Sequence, residues 1–396
     1  MAVVTPPKYV RRVLVTLQAR GHLAYLVGGC VRDMILGVHP QDWDICTSAL
    51  PEQVLEIFPG SEPTGLRHGT VTVRIRSRRV EVTTFRSEGR YTDHRHPDAV
   101  SFVGDLTTDL SRRDFTMNAI ALPPDGLVAD PFGGVQDIRD RLIRCVGDPD
   151  RRFEEDALRM FRAMRFSARL GFRIEEKTLA AIERQAPLAA ALAPERVRDE
   201  VEKLLLTRQP EKLGELIGAG LLDSYLVVRP PEEIGFLRLN ALPRRALERW
   251  AGLSAMLEHQ GCIPTAESFL TSLRLDHRTI RCCDGCLELL EKAEPRSAVE
   301  WKRQLHAYGV EAVSCAARCR DALYGGKSFN ALREVLKSGE CFTMKHLAVT
   351  GDDLLSLGLR GKELGRMLDF LLDYVMEYPE NNRRELLLAL SRDNEE

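Results

Sequence analysis

No stretch of the 396-residue chain is apolar over the length that a bilayer demands. The N-terminus, Met1-Ala2-Val3-Val4 followed soon by Arg11-Arg12, also lacks an apolar core with a small-residue cleavage site behind it. These absences predict a cytoplasmic chain with no membrane partner. Neither sign of charge is in excess: 56 Lys and Arg stand against 58 Asp and Glu, a net charge of −2. That excludes the basic surplus of a protein that coats nucleic acid, so any such partner must be held by local patches. Regularly spaced cysteine is missing as well. Ten cysteines scattered over this length suit a reducing compartment rather than a disulfide framework. The tightest group, Cys282, Cys283 and Cys286, is followed by no second ligand pair of comparable spacing, so it reads as buried or partly exposed thiols rather than a zinc ribbon. Internal repeats and low-complexity tracts are absent.

What remains is a hydrophobic content of 44% with 29% charged residues, the balance of a globular protein too long for one core. Val10, Val13, Leu14 and Leu17 share one face of a helix predicted over 8–20, which Gly21 stops. A short apolar strand at 23–27, a Gly28-Gly29 turn, a helical run to Leu36 and a strand at 43–47 follow. Alternation over 71–75 and 80–85, split by Arg-rich turn residues, predicts a β-hairpin. Beyond about residue 150 strand signals fade, and helices are expected at 152–170, at 195–206 and onward to the C-terminus. Arg229-Pro230-Pro231 and Gly325-Gly326 are candidate joints.

Asp42-x-Asp44 places two carboxylates on one face of a strand, where together they can hold Mg²⁺, a hard cation that completes its shell with substrate phosphates. Alone, the pattern is weak evidence, since solvated strand ends and turns often carry it. Upstream, Gly28-Gly29 lies between strand and helix, where backbone N–H groups can approach a triphosphate, and Arg32 follows one turn later. Turn and carboxylates together suit a primer hydroxyl activated by metal for in-line attack. Glu81, on the hairpin face opposite Val80 and Val82, is a candidate third carboxylate or a solvent-facing strand residue. On a wheel of the 152–170 helix, Phe153, Ala157, Met160, Phe161, Met164 and Ala168 fall on one side. Glu155, Arg159, Arg162 and Arg169 fall opposite, with Asp156 and Arg165 flanking. Asp156 to Arg159 is also the spacing of an ordinary i,i+3 ion pair.

Three motifs in order, Leu26-Val-Gly-Gly-Cys-Val-Arg-Asp33 with Asp42-Trp-Asp44, Arg112-Arg-Asp-Phe-Thr-Met-Asn-Ala119, and Glu155-Asp-Ala-Leu-Arg159, carry a resemblance to a known family. The chain resembles the class II tRNA nucleotidyltransferases, the bacterial CCA-adding enzymes, which share their catalytic head with bacterial poly(A) polymerases. The resemblance is strong over 20–210 and weaker beyond, where Gly351-Asp-Asp-Leu354 and 361–365 look like the family's tail. It implies an α+β chain: a polymerase β-like mixed-sheet head (1–145), then an all-α neck (146–210), body (211–300) and tail (301–396). By the same resemblance Asp42 and Asp44 bind the catalytic Mg²⁺, Gly29 and Arg32 the nucleotide phosphates, and Arg113 with Asp114 the phosphate or ribose. Asp156 and Arg159 read the incoming base, and Arg162 and Arg165 add nucleotide contacts.

Base reading has a chemical rationale. Cytosine and adenine each set an amino donor beside a ring-nitrogen acceptor, which a carboxylate and a guanidinium complement, whereas guanine and uracil present the reverse. The resemblance further implies tRNA, CTP and ATP as partners, with CMP, CMP and AMP transferred in turn. A poly(A) polymerase or an enzyme restricted to CC or A has the same chemistry, and a tRNA-binding module with an inactive head is the non-enzymatic alternative. The charged segment 86–97 looks like the family's flexible element for the last addition, or a solvated loop. His94-x-His96 within it has no further ligands to make a metal site. The helical remainder shows no His-Asp cluster of the hydrolase domain that longer relatives carry. From Glu300 onward 14 Lys and Arg face 16 Asp and Glu, so tRNA contacts there must rest on patches and turns rather than net charge.

Overall fold

The structure is a computed structural model that describes residues 5–89, 100–124, 126–231 and 235–393. His94 and His96 lie outside the described residues, as does most of the charged segment that contains them. The chain divides into two units, Met1–Ser224 and Tyr225–Glu396.

The first unit is built on a six-stranded mixed sheet. Its strands β1 (Ala24–Val27), β2 (Asp44–Thr47), β3 (Glu62–Gly65), β4 (Thr70–Ile75) and β5 (Arg78–Thr84) lie in the order β3-β4-β5-β2-β1, and Ala121–Leu122 closes the edge beside β1. The predicted hairpin is β4–β5, with Val73 opposite Val80 and Arg76 turning the chain at φ 56°. β2 runs parallel to β5 and antiparallel to β1. The Lys8–Ala19 helix buries Val10, Val13, Leu14 and Leu17 completely, as its periodicity requires. No side chain caps its start, so burial of those four residues, worth about 1.5–3 kcal/mol each, holds it in place. The segment read as a loop from Arg86 begins instead as a strand, Arg86–Glu88, paired antiparallel with Val100–Phe102.

The helix expected over 152–170 is two helices. Pro149–Glu155 ends at Asp156, whose backbone is extended (φ −147°, ψ 101°), and Leu158–Leu170 begins after it. The Asp156 carboxylate accepts a hydrogen bond from the Leu158 N–H at 3.1 Å, so the residue caps a new helix rather than continuing the old one. The apolar positions are nevertheless buried on both sides of the break, including Phe153, Met160, Phe161 and Met164. Strand pairing also persists past residue 150, since Arg173–Ile174 pairs parallel with Leu142–Ile143.

The second unit is helical throughout its described residues. The boundary expected at 300/301 falls within the helical run Ala298–Tyr324, which is kinked at Gly309 (φ 79°) and ends at Gly325-Gly326 before the Ser328–Ser338 helix. Leu354, Leu371, Leu372, Val375, Met376 and Leu387 form the core of the C-terminal part. Among the described residues, no helix is long and apolar enough to cross a membrane.

Candidate active site

Asp42 lies in the bend before β2 and is separated from Asp44 by Trp43, which is 5% exposed; all three residues reach the same cleft. Asp44 opens β2, and its register partner on the parallel strand β5 is Glu81. Register partners on adjacent strands project from the same face about 4.8 Å apart. The flanking Val80 and Val82 are buried, and Glu81 therefore faces out beside Asp44. Asp42, Asp44 and Glu81 all line one cleft of about 550 Å³, together with Tyr9, Trp43 and Arg79.

Electrostatics at Asp44 report that convergence. Burial first, then the like charges of Glu81 and Asp42, push its carboxyl from the ordinary 3.8 up to about 6, against a lowering pull from Arg113. Carboxylates that line one cleft at this electrostatic cost suit a hard divalent cation, whose charge relieves the repulsion.

Arg113 approaches the same carboxylate from the glycine turn. Gly28 has φ 74°, and a side chain there would bring its Cβ to 3.0 Å from Arg113 Nη1 and 3.8 Å from Asp44 Oδ2. Only glycine leaves this corner open. Arg113 is anchored by Asp109 at 3.5 Å, while its buried Nε has no hydrogen-bond partner. A guanidinium whose Nη1 faces a bare turn is suited to an anionic ligand.

The remaining expected residues form a second, internally paired assembly. Arg32 is 2% exposed; Nε and Nη2 donate to Asp33 at 2.9 and 2.7 Å, and Nη1 donates to Asn118 at 2.8 Å. The Asn118 amide in turn donates to Asp114 at 3.0 Å. Arg162 donates to the same carboxylate at 2.9 and 2.7 Å. Burial alone would push Asp114 up, but Arg162, Asn118 and the Phe115 N–H overrule it and hold the carboxyl at about 2. Arg165 pairs with buried Glu200. The guanidiniums of Arg32, Arg162 and Arg165 all lie 4.2–5.3 Å from the ring centroid of Phe166, close enough for cation–π attraction.

Asp156 and Arg159 do not pair with each other, because the backbone break separates them. Arg196 donates to both oxygens of Asp156, at 3.1 and 3.3 Å. Arg159 donates to Glu155 and to the carbonyl of Arg112, each at 3.0 Å. The Arg159 anchor is therefore the residue adjacent to Arg113. Neither Asp156 nor Arg159 is among the residues that line the carboxylate cleft.

Three residues with evident roles escape a reading of the sequence alone: Arg196, Asn118 and Phe166. Asn118 stands within the second motif, which is a signal for it. Arg196 lies 40 residues from Asp156, and local pattern offers none.

Comparison with known proteins meets this geometry. Residues 24–144 match the family described as the poly A polymerase head domain, and 244–390 match the second domain of tRNA nucleotidyltransferases. The CCA-adding enzyme of Anoxybacillus flavithermus is 40% identical over 384 residues, 95% of this chain and 94% of that one. The chain belongs to the bacterial CCA-adding enzymes, in the class II tRNA nucleotidyltransferase family. The CCA-adding enzyme of Enterococcus faecalis is 36% identical over 96% of this chain and 94% of its own length. The Bacillus stearothermophilus CCA-adding enzyme, solved in complex with CTP, superimposes with a TM-score of 0.85 at 35% identity, covering 99% of this chain and 98% of that one. The expected α+β class, with a mixed-sheet head followed by helices, is the fold observed.

Proposed function

We propose that this chain transfers CMP, CMP and AMP in sequence from CTP and ATP to the 3′ hydroxyl of tRNA, without a nucleic-acid template. The observation that carries the reading is the convergence of Asp42, Asp44 and Glu81 on one cleft, with Arg113 and the open Gly28 turn at its side. The CTP complex of the 35%-identical Bacillus stearothermophilus enzyme supports the nucleotide class.

Asp42 and Asp44, with Glu81 beside them, hold the divalent ion that we take to be Mg²⁺. When bound, the ion lowers the pKa of the primer hydroxyl and offsets charge on the transferring phosphoryl group. Arg113 donates from Nη1, the guanidinium nitrogen that faces the Gly28 turn, to the triphosphate, and the absence of a side chain at Gly28 leaves room for that contact. Gly29 and Arg32 support the same turn, Arg32 from within the protein through Asp33 and Asn118. Asp114 fixes Arg162, and Glu200 fixes Arg165, so both guanidiniums meet the nucleotide in set orientations. Asp156 and Arg159, held by Arg196 and Glu155, present acceptor and donors to the base edge. Ten free thiols are consistent with action in the reducing cytoplasm.

The test is incorporation into tRNAs that lack one, two or all three terminal residues, with each NTP offered separately. The expected result is C, C and A addition that stops at the complete end. Continued extension with ATP alone would make the chain a poly(A) polymerase. Tight tRNA binding with no incorporation would make it a binding module.

A further inference from the structure

The cysteine group that lacks a sequence partner acquires one in space. The His277–Glu291 helix packs on the Ala298–Tyr324 helix where Gly285 lets the two approach: a Cβ at Gly285 would stand 3.2 Å from Tyr308 and 3.6 Å from the Ala312 Cβ. Next to that contact, the sulfurs of Cys286, Cys315 and Cys319 all lie within 4.8 Å of one another, and each residue is at most 1% exposed. Cys283, one turn before Cys286 on the same helix, is fully buried. The second pair missing after Cys286 is therefore Cys315-x₃-Cys319, presented by the neighbouring helix.

We propose that Cys286, Cys315 and Cys319 bind one Zn²⁺ ion, with Cys283 completing a tetrahedral thiolate site that ties these two helices together. Zn–S bonds of about 2.3 Å set ligand sulfurs about 3.8 Å apart in a tetrahedron, so the observed triangle needs to contract by no more than about 1 Å. Spacings of i,i+3 on one helix and i,i+4 on the other aim both pairs at a shared point between them. Soft thiolates favour Zn²⁺ over the oxygen-seeking ion proposed for the Asp42–Asp44 cleft. Binding releases a proton from each thiol that becomes a ligand. Cys282, on the same helix, is partly exposed; its thiol contacts Glu311 at 3.9 Å and is not among the three clustered sulfurs.

The experiment uses the full chain, reduced and stripped of metal, titrated with Co²⁺ as an optical probe and then with Zn²⁺. Expected are thiolate-to-cobalt charge-transfer bands with tetrahedral d–d absorption that saturate at one equivalent, bleach on addition of one equivalent of Zn²⁺, and disappear in Cys286→Ala/Cys315→Ala/Cys319→Ala. Cys282→Ala should keep the full signal and Cys283→Ala should lose part of it. Zn²⁺ should raise Tm by several degrees in the wild type and leave it unmoved in Cys319→Ala, a single change that guards against loss of folding in the triple variant. The proposal is overturned if the wild-type cobalt spectrum matches that of the triple variant, if Cys282→Ala removes the signal, or if mass spectrometry of the chain isolated without reductant finds Cys286 in a disulfide.

Discussion

At the mouth of β2, Asp42, Asp44 and Glu81 line one cleft, and despite the lowering pull of Arg113 the Asp44 carboxyl is pushed up to about 6. Along the Leu158–Leu170 helix the arrangement is reversed. Arg159, Arg162 and Arg165 each have a carboxylate partner, Glu155, Asp114 and Glu200, and Asp114 is held at about 2. The first region is frustrated until something positive enters it. The second is finished before any ligand arrives. The contrast teaches a division between chemistry that a ligand completes and selection that the fold completes, because a reader of bases must hold its donors still whether or not a base is present.

The largest effect that could break this contrast is at Asp44. Asp44→Ala should lower nucleotidyl transfer by about three orders of magnitude or more while leaving Tm unchanged or higher, since it removes a repelled carboxylate. Single-turnover incorporation and a thermal melt on one preparation check both halves. A variant that unfolds would show that Asp44 is structural after all. Asp114→Ala should do the opposite, leaving Arg162, whose side chain is 34% exposed, without its partner and losing about 1–3 kcal/mol of stability in urea unfolding. A loss under about 1 kcal/mol would mean that the paired region is not the rigid element described here.

Between these in kind, and smaller in size, is the proposed base reader. Asp156→Ala should relax the preference for CTP and ATP over UTP and GTP, by about tenfold in the ratio of kcat/KM values or more, with no change in metal affinity. Arg196→Ala should move the same ratio in the same direction by less, because it frees Asp156 without deleting it. Undiminished preference in Asp156→Ala would remove it from base selection.

The two regions also differ in how much of each the sequence discloses. Asp42, Asp44, Gly28 and Glu81 are legible because they sit at the ends or on the alternating face of short strands, where a period of two decides which way a side chain points. The four buried residues of the Lys8–Ala19 helix are legible for the equivalent reason at a period of 3.6. The paired region is legible in composition only. Asp156 breaks the helix while the apolar positions on either side keep their spacing, so a wheel drawn through it finds the right core and the wrong ion pair. Asn118, 86 residues from Arg32, links it to Asp114, and Cys286 meets a cysteine pair on a separate helix; neither contact has a local signature.

The smallest effect, and the one that addresses both regions in a single curve, is the pH dependence of stability without metal. Asp114 has its folded pKa depressed, so the stability it contributes is present above about 3.8 and is lost as pH falls toward 2. Asp44 has its folded pKa raised, so the folded state binds more protons than the unfolded state between 3.8 and about 6, and stability declines as pH rises through that window. In EDTA, Tm should therefore climb from pH 2 to about 4 and then slope downward to about 6. Asp44→Asn should flatten only the second limb. Millimolar Mg²⁺ should flatten it too, since a cation at the cleft favours the ionised carboxylate and draws its midpoint below 6. If the downward limb survives in Asp44→Asn, the repulsion belongs to another group, and the picture of the cleft as the frustrated half of the molecule fails.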